Sequence, residues 1–484
     1  MDIVGGNKTK CRVEMAYREG NRCQMTLLPP VIEDYVGQND PVRVYDAIIE
    51  AIDIKELGLD IDSSQVGNPA YDPKTMLKLL VYGYSYGWRS SRKLERACHH
   101  NLSFIWLMGG LKPDHKTIAN FRRDNQEVVK NILKQTARLC IKLDLIEGNC
   151  LFTDSTKVRG AASISETRTR QGWEEKLKEI DQSIEHLLKE CNETDEREAG
   201  SLVEVQQELQ DKQKLQHKIK GLLDQMDIEK RQKINGTDTD CVNFKGRQGS
   251  HAGYSAHITV DEKHGLIVSA DVVSENNDYN QFSSQIEQAV DTLGKSCQTA
   301  VADAGYWNNS LKETIVKQID VIVPSRQQAQ HEPSDEPFGR DKFRHDSVNN
   351  QYICPEGKRL KYSHYSTKKR HYIYRIEKAS LCLECPHFGL CTESQRGRSI
   401  IRLKEEELRE KLEVRYASEE GQTIYKKRKE KVESPFGHIK RNLNGGAFLV
   451  RRLGAVKAEW ALLASCFNIA RMLTLTNRGS RRLD

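Results

Sequence analysis

The sequence predicts a mixed α/β fold: a β-sheet with helices on its faces, preceded by an all-helical domain and interrupted by a helical hairpin. Three observations carry the prediction. Apolar residues recur at three-to-four spacing throughout residues 41–146. From Cys150 to Ser325 short apolar runs alternate with amphipathic stretches. Between the first run and the second lies a charged block, Glu166 to Ile234, with two apolar seams of its own.

Residues 1–40 form an N-terminal arm. The helical domain, 41–146, comprises PVRVYDAIIEAIDI, DPKTMLKLLVYGYSYG, SSRKLERACHH and HKTIANFRRDNQEVVKNILKQTARLCIKLDLI, punctuated by Gly83, Gly87, Gly109, Gly110 and Pro113. Residues 147–325 open with the strand CLFTDSTKVRG. In the charged block Leu177, Ile180, Ile184, Leu187 and Cys191 step by three and four, as do Leu215, Ile219, Leu222 and Met226. Two such helices around the polar break CNETDEREAGS predict an antiparallel hairpin inserted at 166–234. SAHITVDEKHGLIVSADVVSE then reads as two strands turning at His264-Gly265. The helix NQFSSQIEQAVDTLG, the strand TAVADAGYW, the helix NSLKETIVKQ and the strand DVIVPS follow. Residues 326–400 read as a polar, irregular insertion that holds a Cys cluster. Residues 401–484 turn helical again in GQTIYKKRKEKVE, SPFGHIKRNL and VKAEWALLASCFNIARMLTL. Strand, insertion, strand, strand, helix, strand, helix, strand, helix is the order of a ribonuclease H-like core.

At 484 residues the chain is too long for one compact core, and 37% hydrophobic residues suffice to build several. The 75 basic residues exceed the 69 acidic ones by only six, so the chain has basic patches on a mixed background rather than a basic tail. That fits a polyanionic partner without requiring one. No apolar run is long enough to span a bilayer, and MDIVGGNKTKCRVEM lacks a signal-peptide pattern. A cytoplasmic protein with no membrane partner is expected. In a reducing compartment the scattered Cys11, Cys23, Cys98, Cys140 and Cys150 read as small core residues, and clustered Cys as metal ligands.

Two acids stand where a solvated acid is unexpected. Asp154 ends the apolar run Leu151-Phe152, and Asp303 follows Val301-Ala302 before Gly305. Taken singly, each also reads as a turn or cap Asp. Two-metal phosphoryl chemistry needs carboxylates that converge on a pair of Mg²⁺ ions, and adjacent strands can bring together acids far apart in sequence. A third candidate is Glu433, set among Lys427, Arg428, Lys429, Lys431 and Lys440. Such a mixture suits a phosphate-facing site, with acids for metal and bases for phosphate, and equally suits a surface ion pair. Pro435 after Ser434 predicts a helix junction at Glu433. Asp271 is a rival for a metal-proximal position. Asp261 reads as a turn residue, and Asp238 and Asp240 as loop acids within reach of nucleic acid or metal.

Six segments in order carry a specific resemblance: YDPKTMLKLLVYGYSYGWRSSRKLE, PDHKTIANFRR, FTDSTKVRG, NGTDTDCVNFKGRQGSHAGYSAHITVD, ADAGYWN and YKKRKEKVESPFGHIKRNL. Over roughly residues 40–475 the chain resembles bacterial insertion-sequence transposases of the DDE type, with a helical N-terminal domain and a Cys-bearing insertion. The resemblance implies that Asp154, Asp303 and Glu433 hold two Mg²⁺ ions, with Mn²⁺ a substitute. Tyr425, Arg428 and Lys440 match the Tyr-Arg-Glu-Lys pattern of related transposases, although the Arg-to-Glu gap is one residue longer here. Lys440 and Arg428 would then hold phosphates, and Tyr425 would stack on a base. The implied partner is double-stranded DNA, both the element's terminal inverted repeats and the target, bound by a homodimer that associates with the nucleoid. A catalytically silent DNA-binding descendant, or a nuclease without strand transfer, are the alternatives.

Basic residues of the N-terminal domain are the candidates for end binding: Arg89, Arg92 and Lys93 beside the core-filling Tyr82, Tyr84, Tyr86 and Trp88, and Lys116, Arg122 and Arg123 on a helix capped by Asp114. Phe448, Leu449 and Trp460 read as core. Cys354, Cys382, Cys385 and Cys391 suit a structural Zn²⁺, with His364, His371 or His387 as substitutes for one ligand; free thiols in a loop are the plainer reading.

Overall fold

Capping residues start the N-terminal helices in the computed structural model, which describes residues 31–58, 71–193, 199–246, 249–308, 311–330, 337–367, 371–403 and 406–480. Most of the N-terminal arm, with Cys11 and Cys23, lies outside these residues. Asp40 accepts from Val42 N to begin α1 (Pro41–Ala51), and α2 (Ile54–Leu57) follows. Asp72 accepts from Thr75 N to begin α3 (Pro73–Ser85). After α4 (Ser91–His100), Asn101 caps α5 (Leu102–Leu107), and Asp114 caps α6 (His115–Asp124) ahead of α7 (Gln126–Lys142). Pro41 and Pro73 occupy first-turn positions, where a missing N–H costs nothing.

The principal sheet begins with β1 (Cys150–Arg159). The hairpin leaves it through β2 (Thr167–Thr169), runs out along α8 (Arg170–Glu193), back along α9 (Ala199–Glu229), and re-enters through β3 (Lys233–Asn235), which pairs with β2. Trp173, Ile180, Ile184, Ile219, Leu222, Met226 and Ile234 form its own closed seam. The chain returns through β4 (Val242–Gly246), β5 (Gly249–Asp261) and β6 (Ile267–Val273), then α10 (Phe282–Leu293), β7 (Thr299–Val301), α11 (Leu311–Val316), β8 (Asp320–Ile322) and α12 (Arg326–Gln330). The order is β4-β5-β1-β7-β8 with β6 also on β5; β5 runs antiparallel to β1, while β1, β7 and β8 are parallel. This mixed sheet, with its helical N-terminal region, is the predicted architecture.

The segment 326–400 differs from its prediction. It folds as a second, antiparallel sheet ordered β13-β12-β11-β10-β9: β9 (Arg344–Asp346), β10 (Gln351–Ile353), β11 (Arg359–Ser366), β12 (His371–Ile376) and, after α13 (Ser380–Leu383), β13 (Ser399–Leu403). Phe343, Tyr352, Leu360, Tyr374, Ile376 and Ile400 fill its core, and the Tyr352 and Tyr374 rings meet edge to face at 5.0 Å. Tyrosine supplies the apolar face that looks polar in sequence.

A second difference concerns the third candidate acid. After α14 (Glu406–Ala417), α15 runs unbroken from Glu419 to Arg441 with Pro435 inside it, so no junction forms at Glu433. Buried Val432, Pro435 and Ile439 anchor one stripe of the helix, and Phe436 stacks on Trp460 of α16 (Leu453–Ser480). Burial on both sides of the proline outweighs its one forfeited hydrogen bond. Phe448 and Trp460 are buried as expected, whereas Leu449 is exposed.

Because the hairpin closes its own seam, replacing residues 170–232 by a short Gly/Ser linker that lets β2 still pair with β3 should leave the melting temperature of the remainder within a few degrees. Thermal denaturation of the shortened chain checks this; loss of cooperative melting would show that the sheet needs the hairpin.

Candidate active site

Register brings the first two acids together. Phe152 of β1 lies level with Val301 of the parallel β7. Asp154 and Asp303 each stand two residues further on, so they leave neighbouring strand positions at the same height and, by the two-residue repeat, on the same face. Asp154 does not end its strand, as the sequence suggested: β1 continues to Arg159, with Asp154 opposite Ile258 of β5. Asp303 lies past the end of β7 and caps a 3-10 turn (Ala304–Tyr306), accepting from Gly305 N at 2.9 Å. The Asp154 side chain is 19% exposed. Burial, opposed by Arg428 and reinforced by the Asp303 charge, raises its carboxyl from the ordinary 3.8 to about 6.

Helix α15 brings bases to this edge. Arg428 donates to Asp154 Oδ2 at 2.7 Å, so this guanidinium is spent on a carboxylate rather than offered to phosphate. Half-buried Lys440 donates to Thr156 Oγ1 and to the Lys157 carbonyl, and burial lowers its pKa. Tyr425 packs edge-on against Tyr416 at 5.0 Å and lies under the Arg428 guanidinium, so its ring is already covered. Glu433 is not drawn in with the two Asp residues. It is 65% exposed and pairs weakly with Lys429 at 4.0 Å. Since the helix is continuous, Glu433 and Lys440, seven residues apart, share a stripe. Among the described residues no group of three or more His, Cys, Asp or Glu side chains is arranged to hold a metal ion.

Sequence reasoning missed the polar layer on the opposite face of β1. Ser155 Oγ donates to Asp278 Oδ2 at 2.7 Å, and Ser255 Oγ to Asp278 Oδ1 at 3.0 Å. His257, opposite Ser155 and fully buried, shares a 2.8 Å hydrogen bond between Nδ1 and the Tyr306 hydroxyl. A His within an apolar strand, in HITVD, was the signal available.

The competing acids have other work. Asp271 pairs with Lys457 at 2.8 Å. Asp261 accepts from the backbone of Gly148 and Lys263, a turn role. Asp238 and Asp240 are not free for nucleic acid: Asp238 accepts from Tyr254 Oη and Arg452 N, and Asp240 from Leu453 N, where they fasten the start of α16.

Two of the predicted DNA contacts are engaged within the protein, Arg89 buried and Arg122 half-buried. Arg89 is 4% exposed; it pairs with Glu459 at 2.8 Å and donates to the carbonyls of Asn444 and Ala447. Arg122 donates to Tyr84 Oη, the Arg89 carbonyl and Ser91 Oγ. Arg92, Lys93, Lys116 and Arg123 are exposed on α4 and α6, with Arg123 paired to its neighbour Asp124. Tyr82 and Tyr84 are buried and Tyr86 is exposed.

Cys354, Cys382, Cys385 and Cys391 line one cavity of the second sheet together with His387. The turn after β10 aims backbone at sulfur, with Lys358 N donating to Cys354 Sγ at 3.2 Å. His371 is buried in β12 and His364 exposed on β11; neither lines the cavity.

Among known families, residues 30–124 match a transposase domain of otherwise unassigned function, and residues 353–473 match a transposase DDE domain. The second match spans Glu433 and the four cysteines; Asp154 and Asp303 lie between the two matches. No curated protein matches the sequence. No helix among the described residues is long and apolar enough to cross a membrane.

The raised Asp154 carboxyl makes stability depend on pH. Well below pH 4 it is protonated in folded and unfolded chains alike and costs nothing; from about pH 4 the unfolded chain ionises while the folded one holds its proton, so stability falls until about pH 6 and stays lower above it. In metal-free buffer Asp154→Asn should therefore stabilise the protein at pH 8 by on the order of 2 to 3 kcal/mol, fading to nothing near pH 4. Denaturant melts of both proteins at the two pH values check this; an equal effect at both would assign the shift elsewhere.

Proposed function

For a chain that is a DDE transposase, an enzyme acting on DNA, we propose that it cuts DNA at the ends of its own element and joins the freed 3′-hydroxyls to target DNA, with Asp154, Asp303 and Glu433 as its catalytic acids. The observation that carries this reading is the register that levels Phe152 of β1 with Val301 of β7, each two residues ahead of one of the acids, so that two hard-oxygen donors whose mutual repulsion a divalent cation would relieve meet at one edge. The donor chemistry fits Mg²⁺ or Mn²⁺; Glu433, on the helix that already touches Asp154, completes the set when its side chain turns inward. When bound, the metal pair supplies an activated nucleophile and stabilises the leaving oxygen. Lys440, on Glu433's stripe, holds a phosphate beside the cut, and Arg428 holds Asp154 in place.

Arg92, Lys93, Lys116 and Arg123 form the exposed basic face that receives the element's terminal repeats. Two ends must be brought together for transposition, so the working species on DNA is a homodimer, in the cytoplasm and at the nucleoid.

Alanine at Asp154, Asp303 or Glu433 should each reduce Mg²⁺-dependent cleavage of end DNA by on the order of a thousandfold or more while leaving end binding nearly intact. Gel assays of cleavage and binding side by side test this, and full cleavage by any one variant removes that residue from the set.

The four cysteines line one cavity without forming a ready ligand set; we propose that they close on a structural Zn²⁺. Four protein ligands leave no open position for water, so the metal orders the loops around α13 rather than catalysing. Elemental analysis should find about one zinc per chain, and Cys385→Ser should lose it. Protein fully active in Mg²⁺ with less than about a tenth of an equivalent would leave ordinary thiols.

A further inference from the structure

The turn that carries Asp303 is fastened to the sheet at its far end. Tyr306, three residues after Asp303, is fully buried, and its backbone N–H donates to the Asp303 carbonyl at 3.2 Å. Its hydroxyl shares the 2.8 Å hydrogen bond with His257 Nδ1, their rings crossing at 75°. His257 Nε2 lies 3.5 Å from Asp278 Oδ1 but makes no hydrogen bond within the usual geometry. Asp278 is held in turn by Ser155, the neighbour of Asp154, by Ser255, and by Lys157 Nζ at 3.6 Å. The two acids are therefore tied twice: once through strand pairing in front, and once behind, from Asp303 through Tyr306, His257 and Asp278 to Ser155.

Apolar side chains would fill this space more cheaply. A buried imidazole nitrogen without a hydrogen bond is costly, and a buried hydroxyl needs a partner. Burial depresses the His257 pKa to about 4, so the ring is neutral at ordinary pH with one N–H to place. With the Tyr306 hydroxyl donating to Nδ1, that proton sits on Nε2 and faces Asp278. Each member then points one way, which makes the network a rigid strut rather than a solvated cluster.

We infer that Tyr306 and His257, backed by Asp278, are positioning residues that set the height of the Asp303 carboxylate against Asp154 for divalent-cation binding. His257 is fully buried and touches no substrate; it acts through the turn. The inference rests on the reading of Asp303 as a metal-holding acid, and the closing experiment separates the two.

Binding of Mn²⁺ alone to the full chain, without DNA, is measured by titration calorimetry, alongside melting temperature. Tyr306→Phe removes one oxygen and should weaken Mn²⁺ binding by about tenfold or more, as loss of a group supporting a ligand does, while melting falls by no more than His257 Nδ1 losing its partner requires. His257→Asn keeps an amide near the Nδ1 position and should bind Mn²⁺ more tightly than His257→Leu, which fills the volume better but cannot hydrogen-bond. Space filling alone predicts the reverse order. Asp303→Ala is the control for the underlying reading and should abolish binding. If it does so while Tyr306→Phe binds as wild type, or if Leu equals or surpasses Asn at 257, the positioning role is overturned and the metal reading stands. If Asp303→Ala binds Mn²⁺ normally, both fall. Should Tyr306→Phe fail to fold, the order of the two variants at 257 decides.

Discussion

Asp154 on β1 and Asp303 just past the end of the parallel β7 are brought to one edge of the sheet, and the charge of each bears on the other. Burial is the larger reason that the Asp154 carboxyl is raised; Arg428 opposes it, and the Asp303 charge adds to it. The fold could have relieved the repulsion between the two acids by separating the strands or by replacing one acid. Instead it keeps the acids and supplies Arg428 in front and a buried polar layer behind.

Holding Arg428 and Lys440 against β1 requires that α15 itself be fixed, and α16 does much of this. Helix α16 carries Glu459, whose carboxylate meets Arg89 and Tyr84 of the N-terminal domain and the backbone of Leu449. Asn468 pairs through its amide with both backbone groups of Ile267, and Asp240 caps the helix start. Removing one partner of the buried Arg89–Glu459 pair would leave a charge in a dry interface, typically a loss of about 3–5 kcal/mol. The N-terminal domain is thus joined to the sheet by a clasp that tolerates little slippage, and its exposed basic face keeps a set direction relative to Asp154.

The order of elements carried the sheet, and with it the register that brings Asp154 and Asp303 to one edge, although each acid alone also reads as a turn or cap Asp. Three readings failed for physical reasons. Arg89 and Arg122 looked like surface bases, but a guanidinium with five donors can be buried or half-buried when enough acceptors surround it. The second sheet was hidden because its strands are short and polar in sequence, and its core mixes Tyr352 and Tyr374 with a few scattered aliphatic residues. Pro435 looked like a helix boundary, since local sequence cannot show the burial of Val432, Pro435 and Ile439. The Tyr306–His257–Asp278 network was not legible at all: its members are spread over 50 residues and meet only once β1, β5 and the turn after β7 are paired.

The order of charges along α15 follows from the same repulsion. A third carboxylate brought against Asp154 and Asp303 with no compensating charge would add to a penalty already visible in Asp154. A guanidinium in that position subtracts from it. Around the helix, Arg428 and Glu433 lie about 140° apart at 100° per residue, so the two side chains leave it in different directions. It presents the arginine, and the glutamate points to solvent with Lys429 as its neighbour. Lys440, about 20° from Glu433 around the axis, nevertheless reaches Thr156, which shows that the stripe bearing Glu433 does border β1. Asp154 thus meets the arginine of this helix, and Glu433 stays 65% exposed beside Lys429.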